Sequence, residues 1–218
     1  MAPSDAGAPS SPAAPPAKSA AAVSATKLRP RDAATLIIVD STHGEARVLM
    51  GKRRMTQVFM PGKYVFPGGR VDKSDRHAPS ADELRDSEGG KLLLQMKGTP
   101  SAARARALGL AALRETFEEA GIVIGAKAGK PGACPQGWAE FQDTGYLPAL
   151  GALSYFARAV TPPGRPRRYD TRFFCVEASQ IAHRVEKMDG ELSSLDWFTF
   201  EQVRSLDLPG ITRVVLDY

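Results

Sequence analysis

The sequence is short of several things, and each shortage narrows what the chain can be. Two cysteines in 218 residues, Cys134 and Cys175, are too few for a disulfide framework. No CxxC pair or Cys/His cluster offers a zinc site. Such cysteine usage fits a reducing compartment, and the cytoplasm is the expected location. No apolar run approaches the roughly 18 residues that a membrane span requires, so no membrane partner is expected. Charge of one sign is not in large excess: the net charge is +5, compatible with anionic small molecules and nucleic acid alike. What remains, 43% hydrophobic and 24% charged residues, is the balance of an ordinary globular chain, long enough for one full domain plus a tail.

Residues 1–30 are expected to form a disordered tail. Of the first 26, 20 are Ala, Pro or Ser, leaving little to bury against the entropy cost of ordering the backbone. Pro9, Pro12, Pro15 and Pro16 interrupt any secretory apolar core, and no arginine precedes Arg29 as a transit peptide would require. From Arg31 onward the pattern changes. Ala34–Asp40 and Ala46–Gly51 read as a hairpin, and Tyr64–Phe66 as a third strand running into Pro67-Gly68-Gly69. Ser80 and Glu83 stand at capping-box spacing before Leu84, Leu92, Leu93 and Met96, which suggests a helical insertion over about 76–105. Thr99-Pro100 offers another start, for a helix that runs to Ala120 and stops at Gly121, unless Gly109 breaks it. Ala152–Val160, Arg172–Val176 and Leu195–Phe200 read as strands, and Thr199 or Phe200 to Leu206 and Ile211–Asp217 as short helices. The mixture implies an α/β or α+β fold over 31–218.

The chemistry is carried by Arg114-Glu115-Thr116-Phe117-Glu118-Glu119-Ala120-Gly121. On a helix, Glu115, Glu118 and Glu119 share one face, while Ala103, Ala107, Leu110, Leu113 and Phe117 lie opposite. Neighbouring carboxylates repel, and a hard divalent cation such as Mg²⁺ or Mn²⁺ turns that repulsion into attraction. Arg114, one turn before Glu118, is placed to orient a carboxylate. The bland alternative is a solvated acidic face. Against it, at about 6% usage per fixed residue, this spacing arises by chance about once in 10⁶ windows. Gly68 and Gly69 let a backbone carbonyl approach a metal closely.

These residues resemble the second half of the Nudix box, and Phe66 to Asp75 resembles the first. Gly69 takes the box glycine, and Asp75 stands where the family has Glu. Between Asp75 and Arg114 lie 38 residues where the family has seven. Val58–Gly69, the long insertion and Arg167–Phe174 are similar to a Nudix subgroup that includes the peroxisomal coenzyme A diphosphatases. The resemblance implies an α/β/α sandwich around a mixed sheet, with metal held by Glu115, Glu118, Glu119 and the Gly69 carbonyl. A metal-bound water would attack the diphosphate. It also implies a late acidic residue near the metals, in Asp189-Gly190-Glu191, so Glu118 and Glu191 are both candidates for the base. Relatives in the family are often homodimers.

Two basic clusters, Lys52-Arg53-Arg54 and Arg165, Arg167, Arg168 and Arg172, are read either as solvated loop charges or as guanidinium contacts to substrate phosphate. His43, His77 and His183 are scattered, the cysteines read as packing residues, and Phe59, Tyr64, Phe173 and Phe174 read as core. The expected function is a Mg²⁺-dependent hydrolase of a diphosphate in a nucleotide derivative, with coenzyme A or acyl-CoA favoured by the subgroup alone. ADP-ribose, NADH or a dinucleoside polyphosphate is the alternative substrate. A non-catalytic ligand-binding regulator is the alternative class. No nucleic-acid partner is expected, because no RNA-binding motif or repeat is present.

Overall fold

The computed structural model of the chain describes residues 28–42, 44–58, 60–129, 134–186 and 191–218. The tail expectation for residues 1–27, and the readings of His43, Phe59, Asp189 and Gly190, therefore lie outside the described residues. The strands are β1 (Arg31–Asp40), β2 (Arg47–Arg53), β3 (Tyr64–Val65), β4 (Gly68–Arg70), β5 (Ile122–Lys127), β6 (Tyr146–Pro148), β7 (Ser154–Val160), β8 (Tyr169–Glu177), β9 (Ile181–Arg184) and β10 (Leu192–Thr199). The helices are α1 (Asp86–Gln95), α2 (Ala102–Ala120), α3 (Ala139–Asp143), α4 (Phe200–Arg204) and α5 (Gly210–Leu216).

Strand β1 organises the larger sheet because it is apolar on both faces. Its neighbours give the order β10-β2-β1-β8-β7, with β3 added beside β2 and β4 beside β1. The β1–β8 pair is parallel and the rest are antiparallel, so the sheet is mixed. Ala34, Leu36 and Ile38 alternate onto the face covered by α2, joined there by Phe174 and Val176. Ile37, with Val48, Met50 and Phe173, lies on the other face under Val203, Leu208 and Val215 from the C-terminal helical region. The result is the expected mixed sheet between helical layers. A second, three-stranded sheet, β6-β5-β9, follows α2; these strands escaped the sequence reading, being only 3, 6 and 4 residues long.

Helix α2 presents the acidic motif, and its boundaries have local causes. Ser101, not Thr99, is the N-cap, its hydroxyl accepting from the Arg104 backbone N–H at 3.2 Å. Gly121 closes the helix at φ 66°, a left-handed value that glycine adopts without a Cβ penalty. Gly109 does not break the helix. A Cβ there would meet a Leu150 methyl at 2.7 Å, so the glycine admits the 150–153 turn against the helix. Ala107, Leu110, Leu113 and Phe117 are buried as expected, but Ala103 is exposed, because the first turn extends past the sheet.

The insertion holds one helix, α1, which starts at Asp86 rather than at the Ser80–Glu83 pattern. Those two side chains bind Arg106 of α2 instead: Glu83 takes its Nε at 2.9 Å and the Ser80 hydroxyl takes Nη2 at 2.7 Å. Arg104, one half-turn earlier, grips Asp32 of β1 at 2.6 and 2.7 Å and donates to the Lys97 carbonyl. The insertion is thus tied back to α2 at both of its ends.

Candidate functional site

The site is assembled around Arg114. Its side chain is 4% exposed, and its donors run in several directions. Nε meets Asp75 Oδ1 at 2.8 Å and Nη2 meets Asp75 Oδ2 at 3.1 Å; Nη2 also reaches the Arg70 carbonyl at 3.0 Å. Nη1 lies 2.9 Å from Glu118 and 3.1 Å from Glu115. Burial alone would lower the Arg114 pKa, but Asp75, Glu115 and Glu118 together raise it, so the guanidinium stays charged. Asp75 is wholly buried and also receives the Asp72 backbone N–H at 2.8 Å and the Trp138 indole N–H at 3.1 Å. Its oxygens are therefore occupied, and Asp75 anchors Arg114 rather than facing a ligand.

The carboxylates of α2 divide the space in front of the Gly68–Arg70 strand. Strand β4 is held by β1, Gly69 opposite Ala34, which brings its backbone over the helix. The Gly68 N–H donates to Glu119 at 3.0 Å, and the volume that a Cβ on Gly69 would need is filled by the Glu115 carboxylate. Gly69 is required by this approach. Burial raises the Glu119 pKa to about 8, with the charges of Glu115 and Glu191 adding to it and the Gly68 N–H and Arg53 opposing. Burial likewise raises Glu115 to about 7, against the pull of Arg114. Glu118 is raised by burial too, but its side chain is 40% exposed and leans on Arg114.

Among the described residues, no three carboxylate, histidine or cysteine groups converge as a ready-made metal cage. Glu118 is turned toward Arg114 while Glu119 is turned toward Gly68. The donor chemistry nevertheless fits a hard divalent cation. A buried and a half-buried carboxylate that resist ionising side by side, next to the backbone of a glycine strand, are what such a cation would stabilise.

Glu191 and Arg53 close the other flank. Their side chains meet at 2.6 Å, and the Arg54 backbone N–H donates to the Glu191 carbonyl at 3.1 Å. Both charges act on Glu119, so the structure brings Arg53 and Glu191 together with the acidic helix. The other basic cluster is not joined to these carboxylates by any hydrogen bond or ion pair among the described residues. Arg167 is exposed, and Arg168 is held by the Thr161 and Leu28 carbonyls. Arg172, read from sequence as a solvated loop charge or a phosphate contact, is fully buried against Asp170, which also takes Arg158 at 2.7 Å on each oxygen. Tyr64, Phe173 and Phe174 are packing residues: Tyr64 meets the Phe198 ring edge-on at 5.5 Å, and both phenylalanines are buried. Cys175 is half-buried, but Cys134 is exposed, which corrects its reading as a packing residue.

Trp138 is the residue that the sequence reading missed. It sits 63 positions from Asp75 in a stretch without helical or strand periodicity, and no local pattern signals that its indole reaches an acid.

No family model matches the chain. It is similar to a Caenorhabditis elegans protein provisionally named nudix hydrolase 7, 29% identical over 178 residues, covering 77% of this chain and 50% of that one. It is also similar to the acyl-coenzyme A diphosphatase NUDT19 of Gallus gallus, 30% identical over 183 residues, covering 60% of this chain and 48% of that protein. The chain spans about half the length of these curated relatives. Among solved structures, the NUDIX hydrolase of Alicyclobacillus acidocaldarius superposes with a TM-score of 0.63 and 26% identity, covering 88% of this chain and 91% of that one.

Proposed function

We propose that the chain, which resembles the Nudix hydrolases in sequence and in fold, hydrolyses a diphosphate linkage in a nucleoside diphosphate derivative with Mg²⁺ or Mn²⁺ as cofactor. The observation that carries this reading is the Arg114-anchored turn of α2 that sets Glu115 and Glu119 against the Gly68–Gly69 backbone. Coenzyme A or an acyl-CoA is the first substrate to test, giving 3′,5′-ADP and a 4′-phosphopantetheine product; its support is the likeness to an acyl-coenzyme A diphosphatase.

Glu115, Glu119 and the Gly69 carbonyl would hold the metal. When bound, it neutralises the diphosphate oxygens and acidifies a coordinated water. The chain's own groups do the rest. Arg114 fixes one oxygen of Glu118, leaving a half-exposed carboxylate with raised proton affinity at the rim, suited to accept the proton of the attacking water. Glu118 and Glu191 are each ion-paired through one oxygen, with Arg114 and with Arg53, so both stay candidates for the base. Arg53, whose charge acts on Glu119, is the proposed cation for the diphosphate. Homodimerisation and a cytoplasmic location belong to the same reading.

The deciding experiment is a product assay with Mg²⁺ across coenzyme A, acetyl-CoA, NADH, ADP-ribose and diadenosine polyphosphates. Cleavage of coenzyme A in preference to the others supports the reading in full. Preference for ADP-ribose or NADH keeps the hydrolase and removes coenzyme A. Binding without any cleavage would leave a regulator.

A further inference from the structure

We infer that Trp138 is a positioning residue of this site: its indole N–H fixes the short carboxylate of Asp75, and Asp75 in turn holds Arg114 where it can orient Glu115 and Glu118. The kinetic part of the inference rests on the diphosphatase reading; the structural part does not.

The argument starts from reach. Asp75 is one methylene shorter than the glutamate its position resembles, so its carboxylate has less freedom to find Arg114 from the turn Lys73–Arg76 that carries it. Four donors compensate. Arg114 Nε and the Trp138 indole share Oδ1, at 2.8 and 3.1 Å, while Arg114 Nη2 and the Asp72 N–H share Oδ2, at 3.1 and 2.8 Å. Donors from three chain segments thus determine the carboxylate plane. Trp138 is fully buried and cannot trade this bond for water. Its ring packs on Phe141 at 5.4 Å, and Phe141 on Phe117 at 5.2 Å. Phe117 lies one turn after Arg114 on α2, so the same helix that carries the acids also seats the tryptophan. A tryptophan that only filled the core would be served by any carbonyl acceptor; this one donates to the carboxylate that anchors the arginine.

The test is to remove the N–H and keep the bulk. Trp138→Phe is the simple variant, and replacement of Trp138 by benzothienylalanine, which has sulfur in place of N–H, retains the ring shape if the phenylalanine variant folds poorly. The first readout is the Arg114 Nε–H resonance, followed by ¹⁵N NMR without metal or substrate. We expect it to move and to exchange faster with solvent in both variants. The second readout is Mg²⁺ affinity by calorimetry, expected to weaken about tenfold or more, and the third is kcat, expected to fall comparably with little change in KM. Asp75→Glu in the Trp138→Phe background, which lengthens the acid where a donor was lost, should recover part of each. An unmoved Arg114 resonance in a folded variant, with only the melting temperature lowered, would overturn the inference and leave Trp138 as packing. If the wild-type protein cleaves no diphosphate while the Arg114 resonance still depends on the indole N–H, the positioning role stands and the diphosphatase reading falls.

Discussion

Asp75 takes two nitrogens of the Arg114 guanidinium, at 2.8 and 3.1 Å, with 0% and 4% of the two side chains exposed. A buried pair of this kind adds little over well-packed apolar residues, but losing one partner strands a charge in the interior. Asp75→Asn should therefore destabilise the protein by about 3–5 kcal/mol. Chemical unfolding at neutral pH measures it, and a loss below about 1 kcal/mol, the range of an exposed pair, would show that Arg114 leans on Glu115 and Glu118 instead.

Glu115 and Glu119 hold protons to about pH 7 and about pH 8 in the folded protein, against a glutamate value near 4.3 when unfolded. Across that window the folded state binds more protons than the unfolded state, so stability falls as pH rises. Without metal, the melting temperature should drop between pH 5 and pH 8.5. Added Mg²⁺ should restore most of the loss at the alkaline end, by binding the ionised carboxylates. A melting temperature that rises over the same range would refute the assignment.

Glu119→Gln keeps the shape and the Gly68 contact but removes one of the crowded charges. Stability at pH 8 should rise, since the neutral amide no longer resists its surroundings. Turnover with Mg²⁺ should fall by about 100-fold or more, the scale of losing several kcal/mol of charge stabilisation. Differential scanning and steady-state kinetics on the same preparation decide it, and near-normal activity would exclude Glu119 as a ligand.

Arg53 lowers the proton affinity of Glu119 and pairs with Glu191. In Arg53→Ala the acidic limb of the kcat/KM profile should shift toward higher pH, because Glu119 then ionises later. A weaker KM at every pH is the second expectation, if Arg53 also meets the diphosphate. A profile of unchanged position would separate Arg53 from the carboxylates.

The main strands and the acidic helix were legible because their signals are local. ATLIIVD announces a buried strand, and Gly121 a helix stop. The Arg-Glu-x-x-Glu-Glu spacing places three carboxylates on one face of one helix. Legibility failed where a local pattern served a distant partner. Ser80 and Glu83 imitate a helix cap, yet their oxygens are drawn to Arg106, a multidentate cation that outcompetes the orphan N–H groups of a nascent turn. Arg172 has the composition of a surface cation but alternates inward with Phe174 and Val176, where Asp170 offsets its burial. Trp138 and Asp75 share no segment at all, so only the folded chain reveals their bond.

Strand β1 pairs with β8 in a register that joins residue 31 to residue 169 and residue 39 to residue 177. During synthesis, β1 and β2 can close their hairpin early, while the other edge of β1 must wait for β8 to leave the ribosome. At about 5–20 residues per second, that wait is on the order of ten seconds, long compared with the microseconds a hairpin needs. Through it, ATLIIVD presents an open, apolar edge of the type that invites pairing with other chains. The nascent chain is therefore most exposed to aggregation before β8 is made, and a chaperone that shields strand edges would act in that interval.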